Sequence, residues 1–438
     1  MRIVFALNSY LPESLGGTEM YTNALAKFLI HSGIEAFIVV PAVSKISSTC
    51  YEHEGVTVYR YAENSVSDKD LIVGDKQPSG IENFLNVINE LKPDIVHFQM
   101  ISVGSGITLF HLKRVKQLGY KTVLTMHLTH YTCLTNNLLQ NNKSTCDGII
   151  DIQKCTVCYL NNKKIPIILS KVIYFINEKT AQTSSNFINN LPLLSASLYV
   201  SKKIDTLKVL SENTDKIVVI TKWYKDILLS NHVPEEKIIL VKQGVIFSDN
   251  QTAKLPHLIN TKLKLIFIGR VAEVKGIHLL IRALKQIDPL KYQLDIYGKI
   301  DKEDIYFKSW NKFVIDNKLS VSFKGSISQS EVIPVLRNYD FLCLPSLFSE
   351  MSPLVIQEAF EAGVPVIGSN VPGITEEIKN EFNGFIFPFG KWEKLQAIIN
   401  EILKSPQKKQ LLKQNITPPR NFNQIGKECL DIYFSLLN

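Results

Sequence analysis

Residues 2–40 read RIVFALNSYLPESLGGTEMYTNALAKFLIHSGIEAFIVV and contain the pattern that decides the fold. The run RIVFAL at 2–7 is short, continuous and apolar, which is typical of a strand buried on both faces of a parallel sheet. A helical stretch follows the next loop and ends at Gly33, and AFIVV at 36–40 is a second strand. Because parallel strands need a crossover connection, this order predicts a βαβ unit of a doubly wound sheet.

The alternation of strands and helices continues and then starts again after residue 260. Further predicted strands lie at 94–98, 121–127, 216–221, 237–245, 263–270, 292–298, 321–325, 341–346 and 365–369. We therefore expect an α/β protein with two similar doubly wound domains, at 1–250 and 251–418. A final amphipathic helix within 419–438 is expected to pack toward the first domain. The Asn- and Lys-rich region at about 133–215 fits the alternation least well and is interpreted as an insertion.

Composition excludes several classes of protein. The chain has 438 residues, 45% of them hydrophobic and 21% charged, which excludes a disordered or fibrous protein. Its formal charge of +8 suits an anionic ligand or membrane surface, but is too small for a nucleic-acid-coating protein. No apolar run reaches the ~18 residues that a membrane-spanning helix needs, and the first residues resemble a strand more than a signal peptide. We therefore expect a cytoplasmic protein whose seven cysteines stay reduced or bind metal.

The most informative motif for chemistry is LPSLFSEMSPLVIQEAFEAGVPVIGSNVPGITEE at 344–377. Ser352 is predicted to be the N-cap of a helix and Pro353 its first residue. The N–H groups of Leu354 and Val355 would then be exposed at a helix N-terminus that follows a parallel strand. This is where α/β sheets bind phosphate or carboxylate groups.

Two acidic residues belong to the same motif. Glu350 precedes the helix and Glu358 lies on it, eight residues later. This spacing is too long for an acid–base pair on one helical face, so each would serve a different part of one elongated ligand. A capped amphipathic helix with two solvated acids is the alternative interpretation.

A basic loop follows the buried strand at the start of the second domain. In GRVAEVKG at 269–276, Arg270 and Lys275 flank a loop that opens a helix. A guanidinium fork and an ammonium point charge together suit a diphosphate. A basic loop that is simply solvated and binds no ligand is the alternative interpretation. Neither the dinucleotide GxGxxG pattern nor a Walker loop occurs in the chain.

Two glycines precede the first helix. Gly16 and Gly17 would let backbone approach a ligand closely, and a turn without a ligand explains them equally well.

Taken in order, these motifs resemble a known family. GGTE at 16–19, MH at 126–127, GRxxxxKG at 269–276 and the Glu-x7-Glu of 350–358 resemble the retaining glycosyltransferases of family four, the glycogen-synthase-like GT-B group. The resemblance covers nearly the whole chain. It implies a GT-B fold, in which two Rossmann-like doubly wound domains face a cleft.

The resemblance also implies roles for the residues. Arg270 and Lys275 would bind the diphosphate of a nucleotide-sugar donor, Glu358 the ribose, and Glu350 the donor sugar. The implied catalytic residues are His127, Arg270, Lys275 and Glu350. The implied donor-binding residues are Gly16, Gly17, Gly269, Arg270, Lys275, Gly325, Glu350, Ser352, Pro353, Leu354, Val355 and Glu358.

The implied mechanism needs neither a close carboxylate pair nor a metal. In such retaining enzymes the leaving phosphate takes the proton of the acceptor, and attack comes from the same face. An Asp-x-Asp pair, Asp68 and Asp70, lies in a polar stretch, which argues against a metal-dependent GT-A enzyme. Many relatives carry Asp where Leu128 follows His127, and this departure leaves the donor sugar open.

Four of the seven cysteines lie close together in the sequence. Cys133, Cys146, Cys155 and Cys158 include a C-x2-C pair and match the ligand count of a structural zinc site. Some polysaccharide-assembly members of the family carry a similar cysteine-rich insertion. Free cytosolic thiols are the alternative, and no cofactor is expected for catalysis.

The acceptor is expected on the first domain. Lysines interleaved with apolar residues predict a basic amphipathic surface that could lie on an anionic membrane and reach a saccharide or lipid-linked acceptor. These lysines are Lys163, Lys164, Lys171, Lys202, Lys203 and Lys208. A packed helix with solvated lysines is the alternative. Two further functional hypotheses are a nucleotide-sugar epimerase on the same fold and a catalytically silent sugar-nucleotide binding protein.

Overall fold

The chain divides into two compact units. The computed structural model describes residues 1–43, 47–63, 77–102, 106–181, 195–246 and 262–438, without the side chains of 177–181. One unit comprises Met1–Lys242 and Phe422–Asn438, and the other comprises Gln243–Asn421. The boundaries expected from sequence, 250/251 and 418/419, differ from these divisions by eight and three residues (250 − 242 and 421 − 418).

The described residues of the first unit form an eight-stranded sheet and a separate hairpin. The strands are β1 (Arg2–Ala6), β2 (Glu35–Val43), β3 (Thr49–His53), β4 (Val56–Glu63), β5 (Ile95–Phe98), β6 (Lys121–Met126), β7 (Leu139–Gln140), β8 (Ser144–Thr145), β9 (Lys216–Val219) and β10 (Ile238–Leu240). The sheet order is β10-β9-β6-β5-β1-β2-β4-β3. Its pairs are parallel except β3–β4, and β7–β8 is the antiparallel hairpin.

Helices connect these strands. They are α1 (Gly17–His31), α2 (Ile81–Leu91), α3 (Leu109–Gln117), α4 (Ile152–Asn162), α5 (Ile167–Ala181), α6 (Ala196–Glu212) and α7 (Lys222–Ser230). Among its described residues, the region 133–215 holds the hairpin and three helices. Residues 191–194 of its predicted apolar face lie outside the described residues. So do Asp68 and Asp70.

The second unit contains six parallel strands among its described residues. They are β11 (Leu263–Ile268), β12 (Tyr292–Tyr297), β13 (Val321–Gly325), β14 (Phe341–Leu344), β15 (Val366–Ser369) and β16 (Gly384–Phe387). The helices are α8 (Ile277–Lys285), α9 (Ile305–Asp316), α10 (Val332–Leu336), α11 (Leu354–Glu361), α12 (Trp392–Lys404) and α13 (Pro406–Gln414). The order β13-β12-β11-β14-β15-β16 is that of a doubly wound Rossmann-like sheet, and it reverses between β11 and β14.

Two apolar clusters cover the two faces of this second sheet. Leu265 and Phe267 of β11 belong to one cluster, and Ile266 between them belongs to the other. Because successive side chains of a strand point to opposite faces, a strand covered on both sides is largely apolar. The runs at 263–270, 292–298, 321–325, 341–346 and 365–369 correspond to β11–β15, whereas β16 was not predicted. The doubly wound α/β fold is confirmed.

The last helix, α14 (Phe422–Leu437), belongs to the first unit. It packs against α1 at Gly426, where an added Cβ would lie 2.4 Å from Cδ1 of Phe28. Tyr433 is fully buried, and its hydroxyl lies 2.6 Å from Nδ1 of His97, whose Nε2 lies 2.7 Å from Oγ1 of Thr125. This polar chain joins the end of the sequence to the centre of the sheet.

No helix in the described ranges is both long and apolar enough to cross a membrane.

Candidate functional site

The loops after β11 and β14 meet where the strand order of the second unit reverses. Leu265 of β11 is in register with Phe341 of β14, so both strands end at the same edge of the sheet. The backbone N–H of Leu347 donates to the carbonyl of Val274 over 2.8 Å. Gly276 has φ +71°, and an added Cβ there would lie 1.8 Å from the carbonyl oxygen of Pro345. Open α/β sheets bind ligands at such a reversal point, beyond the carboxyl ends of the strands.

An ion pair joins the two loops. Nζ of Lys275 lies 2.8 Å from Oε1 of Glu350, although 75 positions separate the residues in sequence. Oγ of Ser346 donates to the same carboxylate oxygen over 2.7 Å, and Nζ also lies 4.8 Å from the centre of the Phe348 ring. Glu350 is only 8% exposed. The structure therefore brings together the basic loop and the acidic motif that the sequence singled out separately.

A glycine fixes the main chain of Glu350. Gly373 has φ +83°, and an added Cβ would lie 1.9 Å from the Glu350 carbonyl oxygen. Both the left-handed conformation and the close approach require glycine at this position. The loop that contains Val371, Pro372 and Gly373 thus packs against the main chain of Glu350 and helps to hold it in place.

The start of α11 differs from the prediction by one residue. Pro353 is the N-cap, with extended backbone, and Leu354 is the first helical residue. Ser352 is therefore not the cap, because the carbonyl of Pro353, not its own, accepts the first helical bond, from the N–H of Ile356. Oγ of Ser352 is buried and has no hydrogen-bond partner in the described part of the chain. The N–H groups of Leu354 and Val355 still lie in the first turn, where a helix leaves them without intrahelical acceptors.

Arg270 stands apart from the ion pair. Its side chain is exposed and forms no ion pair within the described residues. The neighbouring Gly269 donates its N–H to the carbonyl of Tyr297 over 3.0 Å, which ties the loop to β12. Gly325, at the end of β13, has φ +81°, and an added Cβ there would meet nothing within 4 Å. Arg270 is thus available to an anion, whereas Lys275 already has a carboxylate partner.

Glu358 is buried in α11, 6% exposed. Burial raises its pKa to about 7, and Nε2 of Gln329 donates a short hydrogen bond to its Oε1. Gln329 was missed by sequence reasoning. A signal was available, because Ser328 and Glu331 form a capping box that predicts a helix start at this point.

In the first unit, His127 follows β6 and is buried, 8% exposed. Its Nε2 lies 2.9 Å from Oε1 of Gln99, and its ring centre lies 5.0 Å from that of Tyr21. Burial lowers the pKa of His127 to about 3, so the ring is neutral at physiological pH. Nε2 donates to the Gln99 oxygen, which leaves the Nδ1 lone pair able to accept a hydrogen bond. Gln99, also missed by sequence reasoning, keeps a buried Nε2 without a partner in the described ranges.

The paired glycines lie at the start of α1. Gly16 is its N-cap and Gly17 its first residue. The carboxylate of Glu19 accepts from the hydroxyls of Ser9 and Ser14, and an added Cβ on Gly16 would lie 2.4 Å from that carboxylate. Gly16 has φ −112°, and the close atom is the end of the flexible Glu19 side chain, so neither backbone conformation nor packing requires glycine at position 16.

Two other sets of predicted residues lie elsewhere in the first unit. Cys133, Cys146, Cys155 and Cys158 all line one cavity of about 30 Å³. Of the six lysines assigned to a basic surface, Lys203 is buried instead, and its Nζ donates to the carbonyl of His130 over 2.8 Å. Its place on the inner side of α6 explains the error, and burial lowers its pKa to about 8.

The second unit matches a known family in sequence. Residues 249–417 match the family described as "Glycosyl transferases group 1". An uncharacterized glycosyltransferase of Methanocaldococcus jannaschii, MJ1607, is 23% identical and is matched over 99% of this chain and 98% of its own length. The capsular polysaccharide biosynthesis glycosyltransferase CapM of Staphylococcus aureus is 28% identical over 43% of this chain and 53% of its own.

Solved structures share the fold. HepE of Anabaena, solved in complex with UDP-glucose, superimposes with a TM-score of 0.63 at 15% identity, covering 99% of this chain and 100% of that one. The fold is GT-B, with two Rossmann-like units. Together, the family match and the named relatives support a glycosyltransferase.

Proposed function

We propose that this GT-B chain is a retaining, metal-independent family-four glycosyltransferase that moves a sugar from a nucleotide-diphosphate sugar to a saccharide or lipid-linked acceptor. The pathway would be cell-surface polysaccharide or lipopolysaccharide assembly. The observation that carries the proposal is the Lys275–Glu350 pair, held between the two loops at the reversal point and beside the first turn of α11.

The donor diphosphate would bind at this edge of the second sheet. Exposed Arg270 and the N–H groups of Leu354 and Val355 supply positive charge that a diphosphate can use. Lys275 can exchange part of its interaction with Glu350 for a phosphate oxygen. The carboxylate of Glu350 would then accept hydrogen bonds from hydroxyls of the donor sugar.

The negative charge that develops on the leaving diphosphate explains why cationic side chains are needed at this site. Breaking the bond between the sugar carbon and the phosphate oxygen leaves an oxocarbenium-like centre and a diphosphate anion. Once they contact the bound diphosphate, the cations of Arg270 and Lys275 stabilise that anion electrostatically. The acceptor oxygen forms its bond to the sugar carbon on the same face, and its proton passes to the leaving phosphate, so configuration is retained and no carboxylate pair is needed.

Two buried side chains, Glu358 and His127, and two stretches of backbone would position the donor. Glu358 would accept hydrogen bonds from ribose hydroxyls, and backbone near Gly325 would contact the base. In the first unit, the neutral ring of His127 would hydrogen-bond a sugar hydroxyl through Nδ1, which no partner occupies in the described part of the chain. Gly17 would approach the phosphates.

The acceptor side is supported by an exposed apolar and basic surface on the insertion. Apolar side chains of α5 are well exposed among the described residues, namely Ile168, Leu169, Val172, Phe175 and Ile176. Lys163, Lys164 and Lys171 are exposed beside them. We expect the protein to float with vesicles containing anionic lipid and not with neutral vesicles. Flotation with neither would refute a peripheral membrane role, and equal flotation with both would refute a contribution of the lysines.

A thermal-shift panel of UDP-, GDP- and ADP-sugars, each with and without EDTA, tests the donor. One base class should raise the melting temperature in both conditions, and the double variant Lys275→Ala, Glu350→Ala should lose that shift. An increase that needs a divalent ion, or no increase with any sugar nucleotide, contradicts the proposal. Incubation of the stabilising donor, alone and with acceptor glycans, then separates transfer from epimer formation and from silent binding.

A further inference from the structure

The four cysteines of the insertion come from separate pieces of local structure and meet at one cavity. Cys133 follows the short 3₁₀ helix Thr129–Tyr131, and Cys146 follows the β7–β8 hairpin. Cys155 and Cys158 lie one turn apart on α4, so both face the same side of that helix. All four are free and partly exposed, and the cavity they line measures about 30 Å³. This volume exceeds the ~10–15 Å³ that one water-sized sphere needs.

The hairpin presents its backbone to the thiols. Asn141 and Asn142 have φ of +54° and +57°, and the N–H of Lys143 donates to the carbonyl of Gln140 over 3.1 Å. Two left-handed residues in succession form a tight turn within the three-residue loop, 141–143, that joins β7 to β8. The backbone N–H of Asn141 donates to Sγ of Cys158 over 3.3 Å. An N–H aimed at sulfur stabilises negative charge on that sulfur.

The loop between Cys146 and Cys155 is held in place by hydrogen bonds from side chains that do not line the cavity. The side chain of Asn231 accepts from the N–H of Ile150 over 2.8 Å and donates to the carbonyl of Gly148 over 3.0 Å. The carboxylate of Asp151 accepts from the N–H of Lys154 over 2.6 Å and caps α4. The backbone around the cavity is therefore fixed by contacts that do not use the thiols.

We propose that Cys133, Cys146, Cys155 and Cys158 bind one structural Zn²⁺ ion as thiolates. Four sulfurs match the tetrahedral preference of zinc, and thiolate ligands select it over Mg²⁺ or Ca²⁺. In the described ranges no three His, Cys, Asp or Glu side chains already form a group that could hold a metal. The thiols instead make weak local contacts, such as Sγ of Cys158 with the carbonyl of Leu139 at 3.4 Å. Rotation of the side chains into the cavity would bring the sulfurs to the ion.

The chemistry of binding is balanced without a further reactant. Each thiol gives its proton to solvent as its Zn–S bond forms, and neither zinc nor sulfur changes oxidation state. The ion would join the segment that carries Cys133 to the hairpin and to α4. Cys133 lies six residues after His127 in the sequence, so the ion would stabilise the segment that follows β6. Because it uses none of the donor motifs, the site does not depend on the proposed function.

Metal analysis of the full-length protein tests the proposal. The chain is purified without added metal or chelator, and zinc is measured by mass spectrometry in wild type, Cys155→Ser and the control Cys50→Ser, which changes an exposed cysteine outside the cluster. We expect about one zinc per chain in wild type and in the control, and near-background zinc in Cys155→Ser.

A second measurement does not depend on the folding of a variant. Wild-type protein is stripped with chelator under reducing conditions and titrated with Co²⁺ alone. The absorption bands of tetrahedral thiolate-bound Co²⁺, saturating at about one ion per chain, support the site. Wild-type protein that purifies without zinc and gives no such bands overturns it, as does a disulfide between any two of the four cysteines.

Discussion

At the scale of single residues, burial matters most at Glu358. Its pKa is raised to about 7 by burial, whereas in the unfolded chain it would ionise near about 4.3. The stability that the protonated form contributes is complete below the unfolded pKa and is lost as pH rises through about 7. Near pH 8 the folded protein therefore contains a buried carboxylate whose described hydrogen-bond partner is Gln329.

Glu358→Gln should remove this pH dependence. The amide stays neutral and keeps an oxygen for Gln329, so the free energy of unfolding of the variant relative to wild type should be higher at pH 8 than at pH 5, by on the order of 1–3 kcal/mol. Urea unfolding at the two pH values measures the difference. Glu361→Gln on the same helix is the control, and an equal difference at both pH values would show that Glu358 is ionised throughout.

At the scale of elements, the close approach of two loops positions Glu350. Gly373 and Gly363 both have positive φ, +83° and +71°. An added Cβ at Gly373 would lie 1.9 Å from the carbonyl of Glu350, whereas at Gly363 it would meet nothing within 4 Å. The two positions therefore share the same conformational strain and differ only in the contact.

Gly373→Ala should accordingly cost more than Gly363→Ala. The second variant should lose about 1–2 kcal/mol of stability from the left-handed backbone alone and keep its transfer activity. Gly373→Ala should lose more stability than this. It should also lower the rate of transfer at least about tenfold, because the added Cβ displaces Glu350, and small displacements of a group that positions the substrate cost a large factor in rate. Thermal melts and steady-state rates check both, and equal rates in the two variants would mean that the loop does not position Glu350.

Many of the helices and strands could be predicted from sequence, because their burial imposes a recognisable pattern of apolar residues. Strands such as β11 are covered on both faces, so their apolar runs are unambiguous. The edge strand β3 was not predicted, because it is mostly exposed and lacks that signal. Its neighbour β4 was missed because VTVYRYAE mixes polar and apolar residues and is not a continuous apolar run. The cap of α11 was placed one residue early, since Ser352 has the side chain of a cap but not its backbone position. The contact of Lys275 with Glu350 depends on the strand order, which no local pattern reports.

At the scale of the whole molecule, the end of the chain returns to the first unit. The hydroxyl of Tyr433 is buried against His97, and burial lowers the pKa of His97 to about 3, so this is a neutral hydrogen-bond chain. Its partner Thr125 lies on β6, immediately before the segment that carries His127. The last helix therefore supports the strand that leads to a predicted catalytic residue.

Tyr433→Phe should loosen the first unit and leave the second unchanged. Removing the hydroxyl leaves one ring nitrogen of buried His97 without a partner, at a cost of about 1–3 kcal/mol. Hydrogen exchange should accelerate in β5 and β6 and stay constant in β11 and β14. Phe434→Leu, at an exposed position on the same helix, should have little effect. Equal acceleration in both units would argue against this division of the fold.

The central claim is that the Lys275–Glu350 pair belongs to the donor site. It is tested most directly by the rate at which nucleoside diphosphate is released from the stabilising donor in the presence of acceptor, with EDTA throughout. The proteins are wild type, Lys275→Ala and the control Lys312→Ala, whose lysine is exposed on α9 and paired with Asp316. The account predicts that wild type and Lys312→Ala release diphosphate at similar rates and that Lys275→Ala is slower by at least about a hundredfold, the loss expected for a fixed donor to developing charge. Equal rates in all three proteins would contradict it.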